Sequence, residues 1–270
     1  MPRSMSTGNE SKAGAEGAPI LAIKDLQKAF GGVNAVHGLS FDVYPKEIIA
    51  IIGPNGAGKT TVINLISGFL HSDGGYILFK GRNLKGCSSH RIASLGIART
   101  FQLLQIFTNM SIIENVMVGC HLRGKGGILG SAVRFPNIRT EERNILEIAI
   151  SKLAMVGLKE EAFKPPMSLP YGKQKLLELA RALASKPDLL LLDEPAGGLA
   201  SHEIDQLSEL ICSIREDGMT VLVVEHRMEL VLGIADRVIV LNYGEKIAEG
   251  PPAEVQSNQD VVAAYLGVEF

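Results

Sequence analysis

A chain of 270 residues, 46% of them hydrophobic, can bury one large core or a core with an inserted lobe. Its 27 basic and 29 acidic residues give a formal charge of −2, which offers no electrostatic footprint for a nucleic-acid partner. Three widely spaced cysteines, Cys87, Cys120 and Cys212, suit thiols in a reducing compartment better than a disulfide frame or a zinc site.

No apolar run approaches the roughly 18 residues a membrane span needs. Residues 1–18 are small and polar without an apolar centre, so a flexible tail and a cytoplasmic setting are expected, with one folded domain over 19–270. Ile20 to Phe30 alternates as a strand that Gly31-Gly32 ends, and Leu39 to Tyr44 reads as a second strand. Phe30, at the end of the first, offers a ring face on which a purine could stack. The apolar run Glu47 to Ile52 is a buried strand, and Thr61 to Ile66 has the spacing of a packed helix.

Between them stands Gly53-Pro54-Asn55-Gly56-Ala57-Gly58-Lys59-Thr60. Strand, glycine loop, helix is the context of a phosphate-binding loop. Its glycines let successive backbone N–H groups face one concavity, and the helix adds its positive end. Lys59 is placed to reach the β and γ phosphates, and the Thr60 hydroxyl to ligate Mg²⁺. A short strand, Tyr76 to Phe79, follows Gly74-Gly75, so an antiparallel flap is expected beside the core.

Residues 82–185 change character and read as a helical lobe inserted at about 85–185. Ser89 starts a short helix and Gly96 to Gln102 runs extended. Thr140 to Gly157 is expected as a helix capped by Thr140, with Ile145, Ala149, Leu153 and Val156 on one face. Before it, Arg123-Gly124-Lys125-Gly126-Gly127 suits a mobile connector. Ser168 to Gln174 leads into a helix from Lys175 to Ala184, and its proline followed by glycine marks a helix start.

Asp188-Leu189-Leu190-Leu191-Leu192-Asp193-Glu194-Pro195 carries a second strong signal. Four leucines with no polar face suit a central parallel strand, which delivers two carboxylates at its carboxyl end. Acids at the edge of a core are costly unless a metal or a reacting group uses them. Asp193 is therefore read as the Mg²⁺ residue and Glu194 as the general base for the attacking water. Thr220 to Val224 is another buried strand, ending in Glu225-His226, where the imidazole could meet a γ-phosphate. A hairpin about Asn242-Tyr243-Gly244 and a helix from Asp260 to Leu266 close the chain.

Together these residues resemble the nucleotide-binding subunit of an ATP-binding-cassette transporter, over residues 20–268. The resemblance implies an α/β fold: a P-loop NTPase core with an antiparallel β flap and an inserted helical subdomain. It implies that ATP is held by Phe30 and by the loop from Gly53 through Thr60 to Thr61, with Gln102 as the glutamine-loop residue and a further ligand of Mg²⁺. His226 becomes the switch histidine, Gly198 to Ser201 the dimer loop, and Leu169 to Gln174 the signature. Arg99-Thr100-Phe101-Gln102, Ile63 to Phe69, Ser111 to Met117 and the ending Ala264 to Gly267 are similar to ATPases of branched-chain amino acid importers. Implied partners are two integral-membrane permeases, a second ATPase subunit and a periplasmic binding protein, with this chain on the cytoplasmic face of the inner membrane. Urea or lipopolysaccharide transporters have related ATPases and remain alternatives, as does a soluble non-transport ATPase.

The signature departs from the family's common leucine-serine-glycine-glycine-glutamine. Pro170 replaces the serine, Tyr171 a glycine and Lys173 the glutamine, while Gly172 is kept. Proline supplies neither a side-chain donor nor an N–H, so this face is expected to grip an opposing ATP less well unless Lys173 compensates. Lys46 also stands where the family usually has glycine.

Overall fold

The computed structural model describes residues 17–120 and 136–266. The expected tail up to residue 16, the Arg123 to Gly127 connector and Gly267 lie outside the described residues.

Strands β1 (Leu21–Phe30) and β2 (Val33–Val43) form an antiparallel pair, and β3 (Ile48–Ile52) leads to helix α1 (Lys59–Ile66). β2 begins six residues earlier than the apolar pattern indicated, because Val33 to Gly38 pairs along β1 with mostly exposed side chains. Next come β4 (Gly74–Phe79), β5 (Arg82–Asn83), α2 (Ser89–Leu95) and β6 (Ile97–Arg99). Helices α3 (Ile112–Cys120), α4 (Pro136–Met155) and α5 (Tyr171–Ala184) precede β7 (Leu189–Asp193). The chain continues through α6 (Ser201–Glu216), β8 (Thr220–Val224), α7 (Met228–Ile234), β9 (Arg237–Asn242) and β10 (Glu245–Gly250) to α8 (Pro252–Gln256) and α9 (Gln259–Leu266).

A six-stranded sheet in the order β10-β9-β3-β8-β7-β6 is parallel except at β10, and a four-stranded antiparallel sheet, β2-β1-β4-β5, covers one side. All of β3, β7 and β8 is buried, as continuous apolar runs require when both faces are covered. Alternate residues serve different cores. Ile49 and Ile51 pack with α1 and the antiparallel sheet, whereas Ile48, Ala50 and Ile52 pack with α5, α6 and α7.

A third core joins α3, α4 and α5, and α5 is shared: Leu179 and Leu183 face the large sheet while Leu177, Ala180 and Ala184 face the helices. The lobe expected from residue 85 has an earlier portion that behaves as core. Leu84, Ile92 and Ile97 join the first apolar cluster, and β6 pairs in parallel with β7. The capping role expected of Thr140 is not observed, because α4 already runs from Pro136 and Thr140 lies inside it, exposed.

Two turns explain sequence oddities. Tyr243 and Gly244, both at positive φ (44° and 83°), form the tight β9–β10 connection that matches strand twist. Tyr44 to Glu47 closes with Glu47 N–H on the Tyr44 carbonyl at 3.3 Å, and Lys46 occupies its third position at φ 64°. That position, behind Pro45, is one a type II turn gives to glycine. Lys46→Gly is therefore expected to raise the unfolding free energy by about 0.5–1 kcal/mol, readable as a higher urea midpoint at unchanged slope.

Candidate functional site

The end of β3 releases the chain into the glycine loop, and two close approaches require the absence of a side chain there. A Cβ on Gly53 would lie 2.1 Å from the Leu241 carbonyl oxygen, and one on Gly58, at φ 99°, would lie 2.2 Å from that of Ala35. The loop is thus pressed between β9 and β2, with Gly58 preceding α1 and the first N–H groups of that helix left for an external acceptor. Phe30, half exposed at the end of β1, joins the same hairpin as Ala35, and its ring lies 5.4 Å from the Lys28 ammonium. Tyr265 on α9 meets the Gly53 backbone; burial pushes its hydroxyl's pKa up and that contact partly offsets the rise.

Lys59 is buried, and its ammonium donates to the carbonyls of Gly53 at 2.8 Å and Pro54 at 3.0 Å. Burial lowers its pKa, opposed by the nearby carboxylates of Glu194, Glu225 and Asp193. Asp193 ends β7 almost wholly buried. Its Oδ2 accepts from Arg99 Nη2 at 2.8 Å, while its Oδ1 has no hydrogen-bond partner. Burial raises the Asp193 pKa, and the Arg99 guanidinium opposes that rise.

Glu194 follows at φ 48°, a left-handed backbone that costs on the order of 1–2 kcal/mol for a residue with a side chain. Its Oε2 accepts from Gln102 Nε2 at 2.8 Å, and its Oε1 lies 3.8 Å from His226 Nδ1. The structure therefore gathers Gln102, Glu194 and His226, named from distant stretches of sequence, about one carboxylate.

Besides Arg99, three residues that no motif singles out hold the site together. Glu225, fully buried, accepts from the backbone N–H of Ala196 at 2.8 Å, of His226 at 2.7 Å and of Arg227 at 2.9 Å. It fixes the chain on both sides of the site, and its signal was its place after an apolar strand, like Asp193-Glu194. Lys175 donates to the carbonyls of Glu194 and Pro195 at 3.0 and 3.1 Å, tying α5 to the end of β7. Glu178 accepts from Phe101 N–H at 3.2 Å, and burial raises its pKa.

Tyr171 lies against Gly198, Gly172 against Glu203 and Leu199, and Pro170 precedes α5 without a capping side chain. Lys173 is engaged by Glu161 at 3.0 Å.

A family model described as ABC transporter matches residues 36–197. This chain belongs to the ABC transporter family. A second model, described as branched-chain amino acid ATP-binding cassette transporter, matches residues 245–270 of this ABC ATPase. It is 42% identical over 250 residues to the high-affinity branched-chain amino acid transport ATP-binding protein LivG of Escherichia coli, covering 92% of this chain and 98% of that one. The corresponding protein BraF of Pseudomonas aeruginosa is also 42% identical over the same shares. Among solved structures, a nucleotide-free ATP-binding cassette from an ABC transporter superposes with a TM-score of 0.81 at 31% identity, over 93% of this chain and all (100%) of that one. The ADP conformation of MJ1267, another such cassette, gives 0.81 at 30% identity over 93% and 100%.

The ABC ATPase fold thus supplies a nucleotide site whose residues also fit a magnesium ion. Asp193 Oδ1 is a buried oxygen without a partner, and Thr60 is exposed on the first turn of α1, a pair that suits an ion keeping most of its own water and phosphate ligands. Glu225→Gln is expected to leave one of the three N–H donors unpaired, lowering stability by about 1–3 kcal/mol in urea unfolding. Turnover should fall with it, since Ala196 and His226 lose their common anchor.

Proposed function

We propose that this chain is the ATP-hydrolysing subunit of an importer of branched-chain amino acids, bound to two membrane permeases at the cytoplasmic face of the inner membrane. The observation that carries the cargo is the near full-length identity of 42% to proteins named for that transport, supported by the C-terminal match over residues 245–270. Among the described residues no helix is long and apolar enough to cross a membrane. A periplasmic binding protein would deliver the solute to the permeases. Urea or lipopolysaccharide transport is the competing assignment.

In this reading the phosphate loop wraps the β and γ phosphates while Phe30 stacks on adenine. Lys59 exchanges its loop carbonyls for phosphate oxygens. Glu194 takes a proton from water as the water oxygen bonds to the γ-phosphorus and the bond to the β–γ bridging oxygen breaks, leaving ADP. Gln102 orients Glu194, and His226 supports the γ-phosphate. Magnesium, held through Thr60, Asp193 and Gln102, would neutralise charge on the phosphates.

A second ATPase subunit completes the site by placing its signature helix over the γ-phosphate, so ATP favours the closed dimer by being contacted from both sides only there. This chain's own signature is the weaker half. Pro170 has no donor to offer, and Lys173 is already paired with Glu161.

Reconstituted with its permeases and binding protein, the complex is expected to raise its ATPase rate with leucine, isoleucine or valine; stimulation by urea alone would reassign the cargo. In a heterodimeric complex, Glu194→Gln should lower turnover by about 10²-fold or more, and the matching change in the partner ATPase by much less. Equal losses would remove the asymmetry.

A further inference from the structure

Arg99 bridges the carboxylate at the end of β7 and the helix that follows the glycine loop. It ends β6, the edge strand of the large sheet, alongside Leu191 and two residues short of Asp193 on the neighbouring strand. Its side chain is 8% exposed and that of Asp193 only 1%. The guanidinium divides its donors: Nη2 goes to Asp193 Oδ2 at 2.8 Å, while Nη1 goes to Asn64 Oδ1 at 2.6 Å and Ser67 Oγ at 3.0 Å. Asn64 and Ser67 lie on and just after α1, the helix that the phosphate loop enters.

Two rings flank the same group. Its central carbon lies 5.4 Å from the Phe69 ring centre and 5.0 Å from that of Phe101, and the two rings meet edge to face at 5.5 Å. Phe101 is the residue before Gln102. One guanidinium therefore joins the loop helix, the carboxylate at the end of β7 and the arm that carries Gln102. A planar fork is suited to this because it can hold acceptors on different elements in fixed directions, which a lysine ammonium cannot.

We infer that Arg99 is a positioning residue for the metal: by holding Asp193 Oδ2 against α1 it leaves Oδ1 as the oxygen presented to the magnesium that accompanies ATP. The same guanidinium lies against Phe101, the residue before Gln102. The inference rests on the assignment of Asp193 as the metal residue under the proposed function.

The test measures binding of ATP to the purified full-length chain by calorimetry, once in EDTA and once with Mn²⁺, with the bound Mn²⁺ also followed by electron paramagnetic resonance. Arg99→Met is expected to leave metal-free ATP affinity within about twofold of wild type and to reduce the strengthening by metal about tenfold or more, with an altered Mn²⁺ spectrum. Arg99→Lys should resemble Arg99→Met more than wild type, because it restores charge without the fork. A folded Arg99→Met protein with wild-type metal strengthening, or with an equal loss of metal-free affinity, would overturn the inference.

If circular dichroism shows that Arg99→Met does not fold, the Asn64→Ala, Ser67→Ala double variant decides instead. It keeps the Arg99–Asp193 pair but frees it from α1. A loss of metal strengthening of threefold or more supports positioning, and an unchanged value contradicts it. Asp193→Asn separates the two levels. Retained metal strengthening there removes the assignment of Asp193 and the inference with it, whereas its loss in Asp193→Asn but not in Arg99→Met removes the inference alone.

Discussion

The site depends on the register of three parallel strands. Ile51 of β3 lies beside Val224 of β8, and Val224 lies beside Asp193 of β7. The glycine loop, Glu225-His226 and Glu194 therefore all leave the sheet at one level, at the carboxyl ends where open α/β sheets bind ligands. A slip of one residue in β7 would turn Asp193 to the opposite face and put Glu194 in its row. The register is fixed by burial: with both faces covered, each of Leu189 to Leu192 has an assigned core, and no exposed position tolerates a shift.

What this register assembles is a cluster of charge, buried at Lys59, Asp193 and Glu225 and half-buried at Glu194. Lys59, Asp193, Glu194 and Glu225 act on one another, and Arg99 balances Asp193 from the edge strand. Desolvating such groups consumes much of what their attraction returns, so the cluster is a poor stabiliser of the fold. Its value lies in direction. Asp193 Oδ2 and both oxygens of Glu225 are committed to protein donors, whereas Asp193 Oδ1, buried and without a hydrogen-bond partner, is left for an incoming ligand. A polyphosphate then meets donors already oriented, which lowers the reorganisation its binding requires. The lobe enters this arrangement through Lys175 and Glu178 on α5, which tie that helix to the backbone at Glu194 and Phe101.

The central strands and the glycine loop were legible in sequence because their signals are local. Ile48 to Ile52 and Leu189 to Leu192 are continuous apolar runs, and Gly53 to Thr60 names its chemistry in eight residues. The meeting of Gln102, Glu194 and His226 was accessible only through resemblance, since nothing local brings residues 92 positions apart to 2.8 Å. Arg99 was missed for the same reason, since its acceptors lie 94, 35 and 32 residues away, and so was the tie between Glu225 and Ala196, 29 residues apart. The start of β2 was hidden because Val33 to Gly38 is held by pairing with β1 and not by an apolar face. Ile97 to Arg99 was read as lobe because three residues are too short for a periodic pattern, and only pairing with β7 makes them core.

The central claim is that residues 53–60 cradle a triphosphate and that Glu194 prepares the water that splits it. The most direct measurement is single-turnover release of labelled γ-phosphate by the purified chain in its complex, beside equilibrium binding of the same nucleotide. The account predicts that Lys59→Ala abolishes binding and that the Glu194→Gln protein binds ATP as tightly as wild type yet retains the γ-phosphate intact. Binding undiminished in Lys59→Ala, or wild-type phosphate release from Glu194→Gln, would contradict it.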